Sequence, residues 1–338
     1  MSEHEITVSH MVLHILDPEA GVPVLSNREI DPSEDGFDFT EKLIRKMLDD
    51  ENLKNAVFFD GPNRTAELCA SLFSGATGFL DATRDLAGGL FEIMSQHPEI
   101  PAADLICCLA EIDGVPYLGL LKLNYRSNFT HQVQYEGNAP VNLLFRQRAV
   151  LPGENQKPDE GVLINLQDRT LRLVEKQHEL DGEKEYYLSK RFLGCGSQLS
   201  SAEKAKILNR VAVKLGKKYN NEKLDSSARL RKSVTEHLET GGEVALTTVA
   251  QEIFRDAPTA QEEYVSELKE AGIREEKVQF SEKLAARKFK NQKIKTDTGV
   301  EIEFPATHYM NKDLIEFVPQ PNGTLSIIIK NVGKITDR

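Results

Sequence analysis

The chain reads as an α+β fold: a mixed α/β N-terminal domain with antiparallel hairpins, followed by a helical C-terminal region ending in antiparallel strands. Three observations predict this. Asp113-Gly114 joins two almost continuously apolar runs, 103–112 and 115–123, a strong hairpin signal between strands covered on both faces. From Ser200 to Gly272 apolar residues recur at helical spacing, punctuated by caps and glycines. Asn322-Gly323 then joins 314–318 to 324–330 in a second hairpin. A length of 338 residues suits two domains, and 40% hydrophobic residues can fill their cores.

Taken in order, residues 5–16 carry β-branched and apolar side chains up to Asp17-Pro18, and 22–30 follow a glycine, which predicts a strand pair. His10 and His14 stand four apart without an HExxH pattern and between apolar neighbours, so a structural role is expected. Asp38 and Glu41 should cap a helix through Phe39, Leu43, Ile44, Met47 and Leu48. A short apolar run at 56–59 closes at Asp60-Gly61-Pro62, and two helices follow at 64–73 and 79–97, stopped by Pro98 and Pro101. After the central hairpin, strands are expected at 141–151 and 162–166. A further hairpin is expected from 171–176 and 186–192 around Asp181-Gly182.

Gly194-Cys195-Gly196 reads as a joint with exposed backbone, so the chain divides into an acidic α+β domain at 1–196 and a helical, locally basic domain at 197–338. Ser200 with Glu203 forms a capping box, and Ile207, Leu208, Val211, Ala212 and Leu215 give the helix behind it an apolar stripe. Ser226 or Ser227 should start the next helix, ending at Gly241-Gly242. Thr248 with Gln251, and Thr259 with Glu262, should cap two more. These short helices and a hairpin at 293–304 also fit a winged helix-turn-helix. The last helix, however, carries Glu262, Glu263, Glu267 and Glu270 where a recognition helix would be basic.

Charge is divided unevenly. Residues 1–199 hold 18 Lys and Arg against 32 Asp and Glu, a net of -14, and the remainder is +3, within a total of -11. An acidic half repels nucleic acid, so phosphate binding is expected in the C-terminal half. There Lys206, Arg210, Lys214 and Lys217 fall at i, i+4, i+8 and i+11 along one helix face, with Lys218, Lys223, Arg229, Arg231 and Lys232 beyond. Arg287, Lys288, Lys290, Lys293 and Lys295 form a second cluster. These fourteen residues are the candidate nucleic-acid contacts. A lysine-rich face also serves simply to solvate a surface helix, and that reading stays open. Few aromatic residues interleave with the basic clusters, so binding should be sequence-tolerant, to DNA or RNA.

Chemistry-bearing motifs are missing. The sequence has no P-loop, GxGxxG after a strand, GxSxG elbow or kinase signature. Cys69, Cys107, Cys108 and Cys195 lack CxxC spacing, so neither disulfides nor a zinc site is expected, and no catalytic residue, metal or cofactor is assigned. No apolar run of about 18 residues suggests a membrane span, and the N-terminus lacks signal-peptide character.

The stretches IKTDTGVEIEFPATHY at 294–309 and LIEFVPQPNGTLSIIIKNVGKI at 314–335 resemble the closing signature of the bacterial nucleoid-associated protein family of the NdpA type. VSHMVLHIL, DLICCLAEIDGVPYLGLLKLNY and YYLSKRFLGC are similar to that family in order and spacing. The resemblance implies a non-enzymatic cytoplasmic protein associated with the nucleoid, and transfers no catalytic or base-reading residues. Two alternatives stand beside direct nucleic-acid binding: an adaptor recruited by a DNA-processing partner through its acidic half, and, more weakly, an uncharacterised hydrolase or nuclease. A homodimer is compatible with all three.

Overall fold

A computed structural model describes residues 4–32, 35–153, 155–219 and 223–336, the side chains of 223, 224, 240 and 241 falling outside the described set. The chain divides into two compact units, Met1–Gln198 and Leu199–Arg338.

The first unit runs β1 (Ile6–Leu16), α1 (Gly36–Leu48), β2 (Lys54–Phe58), α2 (Arg64–Phe73), α3 (Phe79–Gln96), β3 (Ala103–Ile112), β4 (Val115–Asn124), β5 (Arg126–Glu136), β6 (Ala139–Val150), β7 (Glu160–Asn165), β8 (Thr170–Val174), β9 (His178–Leu180), β10 (Glu183–Glu185) and β11 (Cys195–Ser197). Seven of these strands form one sheet in the order β1-β3-β4-β7-β8-β2-β11, antiparallel throughout. Strand side chains alternate between faces, and here both faces are apolar. Leu105, Cys107, Leu118, Leu120, Val162 and Ile164 meet α2 and α3 on one side. Ile106, Cys108, Leu121, Leu123 and Leu163 meet Leu43, Ile44 and Met47 of α1 on the other. Adjacent Cys107 and Cys108 therefore belong to opposite layers, and burial pushes the Cys108 thiol up to about 12. The β3–β4 turn places Asp113 and Gly114 at φ 52° and 80°, the paired left-handed conformations of a two-residue hairpin.

Several expectations are corrected here. Residues 22–30 form no strand. Only Val24 bridges Ile15, because a turn at Pro18–Ala20, capped by Asp17 and left-handed Gly21, carries the chain away while β1 pairs with β3. Helix α1 starts at Gly36, ahead of Asp38, and the Glu41 carboxylate accepts from the backbone N–H of Val8 instead of capping its own helix. β5 has no counterpart among the expected strands, and β6 begins two residues before the strand predicted there, because this polar, aromatic-dotted ribbon alternates too weakly to declare itself. Asp181-Gly182 joins the short strands β9 and β10, while Leu188–Leu193 forms a π-helical turn in place of a strand. Buried carboxylates hold that turn: Ser189 N–H donates to Glu175, and the Tyr187 hydroxyl donates to Glu160. Cys195–Ser197 is no exposed joint, since β11 pairs with β2 and the Asn63 amide donates to the carbonyls of Leu193 and Gly194.

The second unit runs α4 (Ser201–Lys218), α5 (Lys223–Gly241), β12 (Glu243–Ala245), α6 (Leu246–Ile253), α7 (Pro258–Glu270), β13 (Lys277–Gln279), α8 (Glu282–Lys288), β14 (Asn291–Lys295), β15 (Glu301–Pro305), β16 (Ile315–Pro319) and β17 (Leu325–Ile329). The capping box forms as the sequence indicates, with the Ser200 hydroxyl accepting from Glu203 N–H and Glu203 accepting from Ser200 N–H. Leu208, Val211, Ala212 and Leu215 of α4 join Leu230, Val249, Ile253, Tyr264 and Leu268 in one core. A smaller core gathers Ala228, Phe304, Tyr309 and Ile315 beneath the C-terminal hairpins β14–β15 and β16–β17. Three helix starts differ from expectation. Ser226 and Ser227 lie inside α5, Thr248 inside α6 and Thr259 inside α7, whose N-caps are Ala245 and Ala257 for the last two. Pro258 at the first turn sets α7, because its missing N–H costs nothing there.

Candidate nucleic-acid interface

On an α-helix advancing ~100° per residue, Lys206, Lys217 and Arg210 of α4 point within a sector of about 40°, while Lys214 and Lys218 lie some 80° and 120° round from Lys206. That rotation decides their partners. Lys214 Nζ lies 2.7 Å from Glu267 and Lys218 Nζ 2.8 Å from the second Glu263 carboxylate oxygen, so both clasp α7. The Tyr219 hydroxyl donates to the same Glu263, whose carboxyl is held below its usual range by Lys218 first and Tyr219 second. The four acids that make α7 unlike a recognition helix thus include the two that anchor α4. Lys206, Arg210 and Lys217 are exposed and have no acidic partner among the described residues.

The other candidates divide in the same way. Arg229 pairs with Asp225 at 2.8 Å and Lys232 with Glu236 at 3.9 Å, both within α5. Arg231 is drawn inward and donates to the Gln292 side chain at 2.9 Å, and burial lowers its pKa from the ordinary guanidinium value. On the β14–β15 hairpin Lys293 pairs with Glu303 at 3.0 Å and Lys295 with Glu301 at 2.9 Å, the direct cross-strand partners in the register. Arg287 is exposed at the end of α8. Lys288 and Lys290 are exposed without an acidic partner among the described residues. The Lys223 side chain lies outside the described residues. Helix α8 rests against both α4 and α5. The geometry thus reduces a fourteen-residue candidate set to an outward core of Lys206, Arg210, Lys217, Lys288 and Lys290.

Sequence reading missed a buried ionic network in the first unit. Lys122 and Glu160 are 1% and 0% exposed and pair at 3.1 Å, with His178 at 3.0 Å and the Tyr187 hydroxyl at 2.6 Å from the same carboxylate. Desolvation pushes Glu160 up, but His178, Lys122 and Tyr187 more than reverse it and hold the carboxyl at about 2. A second pair, Lys54 with Glu175, lies beneath the ring of Tyr186. Each partner sits on a different strand or turn, so no spacing in the sequence announces the network. It is satisfied internally, and among the described residues no group of three or more His, Cys, Asp or Glu converges on a possible metal position.

The sequence model of the nucleoid-associated protein YejK family matches residues 12–336, spanning both units. The chain belongs to this family. No curated protein matches it significantly. As a YejK-family member the protein has a nucleoid-associated role, and no helix among its described residues is long and apolar enough to cross a membrane. The closing stretches that carry the family resemblance, 294–309 and 314–335, include most of the β14–β15 and β16–β17 hairpins, where Lys295 and Lys330 are neutralised by Glu301 and Glu316 across strands. The outward cations of α4 lie outside those stretches.

Proposed function

We propose that this YejK-family protein binds duplex DNA directly, without catalysis and with little sequence preference, through the outward cations of its second unit. The observation that carries this reading is the α4 stripe of Lys206, Arg210 and Lys217, exposed and without acidic partners among the described residues in a chain of net charge -11. Eleven residues at ~1.5 Å rise extend the stripe over about 16 Å, or roughly five base pairs at ~3.4 Å each. Cations at that pitch meet phosphates along one strand and carry no base information.

Titration of the whole chain with duplex DNA at two salt concentrations tests it. Affinity should fall with salt, and Lys206→Glu, Arg210→Glu and Lys217→Glu together should reduce the log-log slope by up to ~0.9 for each phosphate no longer neutralised. Lys184→Glu, an exposed change in the acidic unit, should leave affinity within a few-fold. Undiminished binding by the triple variant would remove the stripe from the interface. Negligible binding by wild type at both salts would favour the adaptor reading, in which the acid excess of the first unit meets a DNA-processing partner.

A further inference from the structure

In the first unit, helices α2 and α3 and the π-helical turn flank a cleft of about 230 Å³. Its floor is apolar, made by Leu68, Leu86, Ile93 and Phe192, and charged groups stand round its rim. Asp85, Gly89 and Glu92 fall at i, i+4 and i+7 on α3, so they share one face, with the two acidic residues about 10 Å apart along the axis. Among the described residues neither acid has an ion pair or hydrogen bond, and neither has the Arg64 side chain. Arg191 is different, because its guanidinium is taken up by Glu185 at 2.8 Å, Asp181 at 3.1 Å and His97 at 2.6 Å. The charge left over in the cleft is therefore two carboxylates against one guanidinium, which one further cation would balance. Two of these residues work against their own helices. A glycine inside a helix destabilises it relative to alanine, yet packing does not demand Gly89, since a Cβ there would meet only the Arg64 guanidinium, at 3.9 Å. Arg64 opens α2, where a cation opposes the helix dipole. Together Gly89 leaves the floor bare between the carboxylates, and Arg64 lies over it while pairing with neither.

We propose that this cleft is a docking pocket for a partner protein, and that it takes an arginine of that partner with an apolar residue beside it. The volume lies below the ~300–1,000 Å³ of drug-sized ligand sites and suits one anchoring residue. An arginine lays its stem on apolar surface and presents a fork that a carboxylate accepts through two charge-assisted hydrogen bonds. Entering over Gly89, it has Asp85 on one side and Glu92 on the other. Buried arginines are also among the side chains on which protein interfaces most depend. Charge complementarity selects a basic occupant at long range as well, because residues 1–199 carry a net of -14, a field that attracts cations and repels nucleic acid. Arg64 occupies the place that the incoming head takes, and acts as an internal competitor that the partner displaces. A polyamine would answer the charges but has no side group to fill the apolar floor. The pocket belongs to the acidic unit and stands whether or not the second unit binds DNA.

Fluorescence anisotropy of a labelled peptide, blocked at both ends and carrying leucine-arginine-leucine between glycines, tests this with the whole chain. The peptide should bind with a dissociation constant below ~1 mM, and its glutamate counterpart at least ~tenfold more weakly. Asp85→Asn with Glu92→Gln, isosteric changes at exposed positions, should weaken binding of the arginine peptide at least tenfold with an unchanged circular dichroism spectrum. Gly89→Leu, which fills the cleft from a helical position with room for a Cβ, should abolish it. Arg64→Ala should act in the opposite direction and tighten binding several-fold. The carboxamide pair and the alanine variant decide the matter even if the leucine variant misfolds. Failure of the wild type to bind the peptide overturns the proposal, as does binding indifferent to the carboxamide pair. Weaker binding by Arg64→Ala also overturns it, and would make the ligand an anion or a zwitterion. Displacement of the peptide by equimolar spermidine would assign the cleft to a polyamine instead of a protein.

Discussion

His14 shows how a single buried group ties this fold to pH. Its side chain is fully buried on β1, its Nδ1 accepts from Ser26 N–H, and its Nε2 has no hydrogen-bond partner among the described residues. Burial first and Arg84 second lower its pKa from 6.5 to about 4. Above pH 6.5 both folded and unfolded states are neutral. Between 6.5 and about 4 the unfolded chain takes a proton that the folded chain refuses, so stability is lost as pH falls, by about 3 kcal/mol across the window at ~1.36 kcal/mol per pH unit. Glu160, depressed to about 2, extends the loss: its contribution is present above the unfolded carboxylate range and disappears as pH falls from about 4.5 to 2. The stability of His14→Gln from urea unfolding should therefore be flatter than wild type between pH 6.5 and 4 and parallel to it below. Identical slopes in the upper window would mean that His14 is protonated in the folded state. The sequence placed His14 among apolar neighbours and so indicated a structural role. Which of its nitrogens is satisfied depends on Ser26, on a loop twelve residues away.

At the scale of elements, the α4–α7 contact separates lysines that spacing alone treats as equivalent. Lys214→Glu with Lys218→Glu would set two carboxylates against Glu267 and Glu263, so the double variant should lower the urea midpoint. Adding Glu263→Lys and Glu267→Lys should restore it by reversing both pairs. The Lys206, Arg210 and Lys217 reversal should leave the midpoint near wild type while reducing DNA affinity. An unchanged midpoint in the first variant would make the two ion pairs incidental surface contacts. The helical period correctly placed α4 and its capping box. It could not say which side of the basic arc faces α7, because that depends on the packing of a helix some fifty residues further on.

At the scale of the whole molecule, each unit holds its own core, one around the seven-stranded sheet and one around α4 to α8. Fragments 1–198 and 199–338 should therefore each fold, giving cooperative thermal transitions. The second fragment should retain the salt-dependent DNA affinity of the full chain, per copy, and the first should lack it. DNA binding by the first fragment alone would move the interface to the acidic unit and its ribbon. A second fragment that is unfolded by circular dichroism would show that the two cores depend on one another.

The sequence by itself determined the α+β class, the β3–β4 and β16–β17 hairpins, the two helices α2 and α3, the capping box, and the family through its closing stretches. These are local signals: turn dipeptides, caps and periodicity act within a few residues. Tertiary structure alone decided that Tyr187 and Ser189 would be drawn into a π-helical turn by buried carboxylates, that β11 would complete the sheet, and that Lys122 would be buried against Glu160 at 1% exposure. It also decided which cations remain outward. A lysine advertises its charge in sequence, but whether that charge is available to a phosphate depends on whether folding brings a carboxylate within about 3 Å of it, and those carboxylates come from elements remote in the chain.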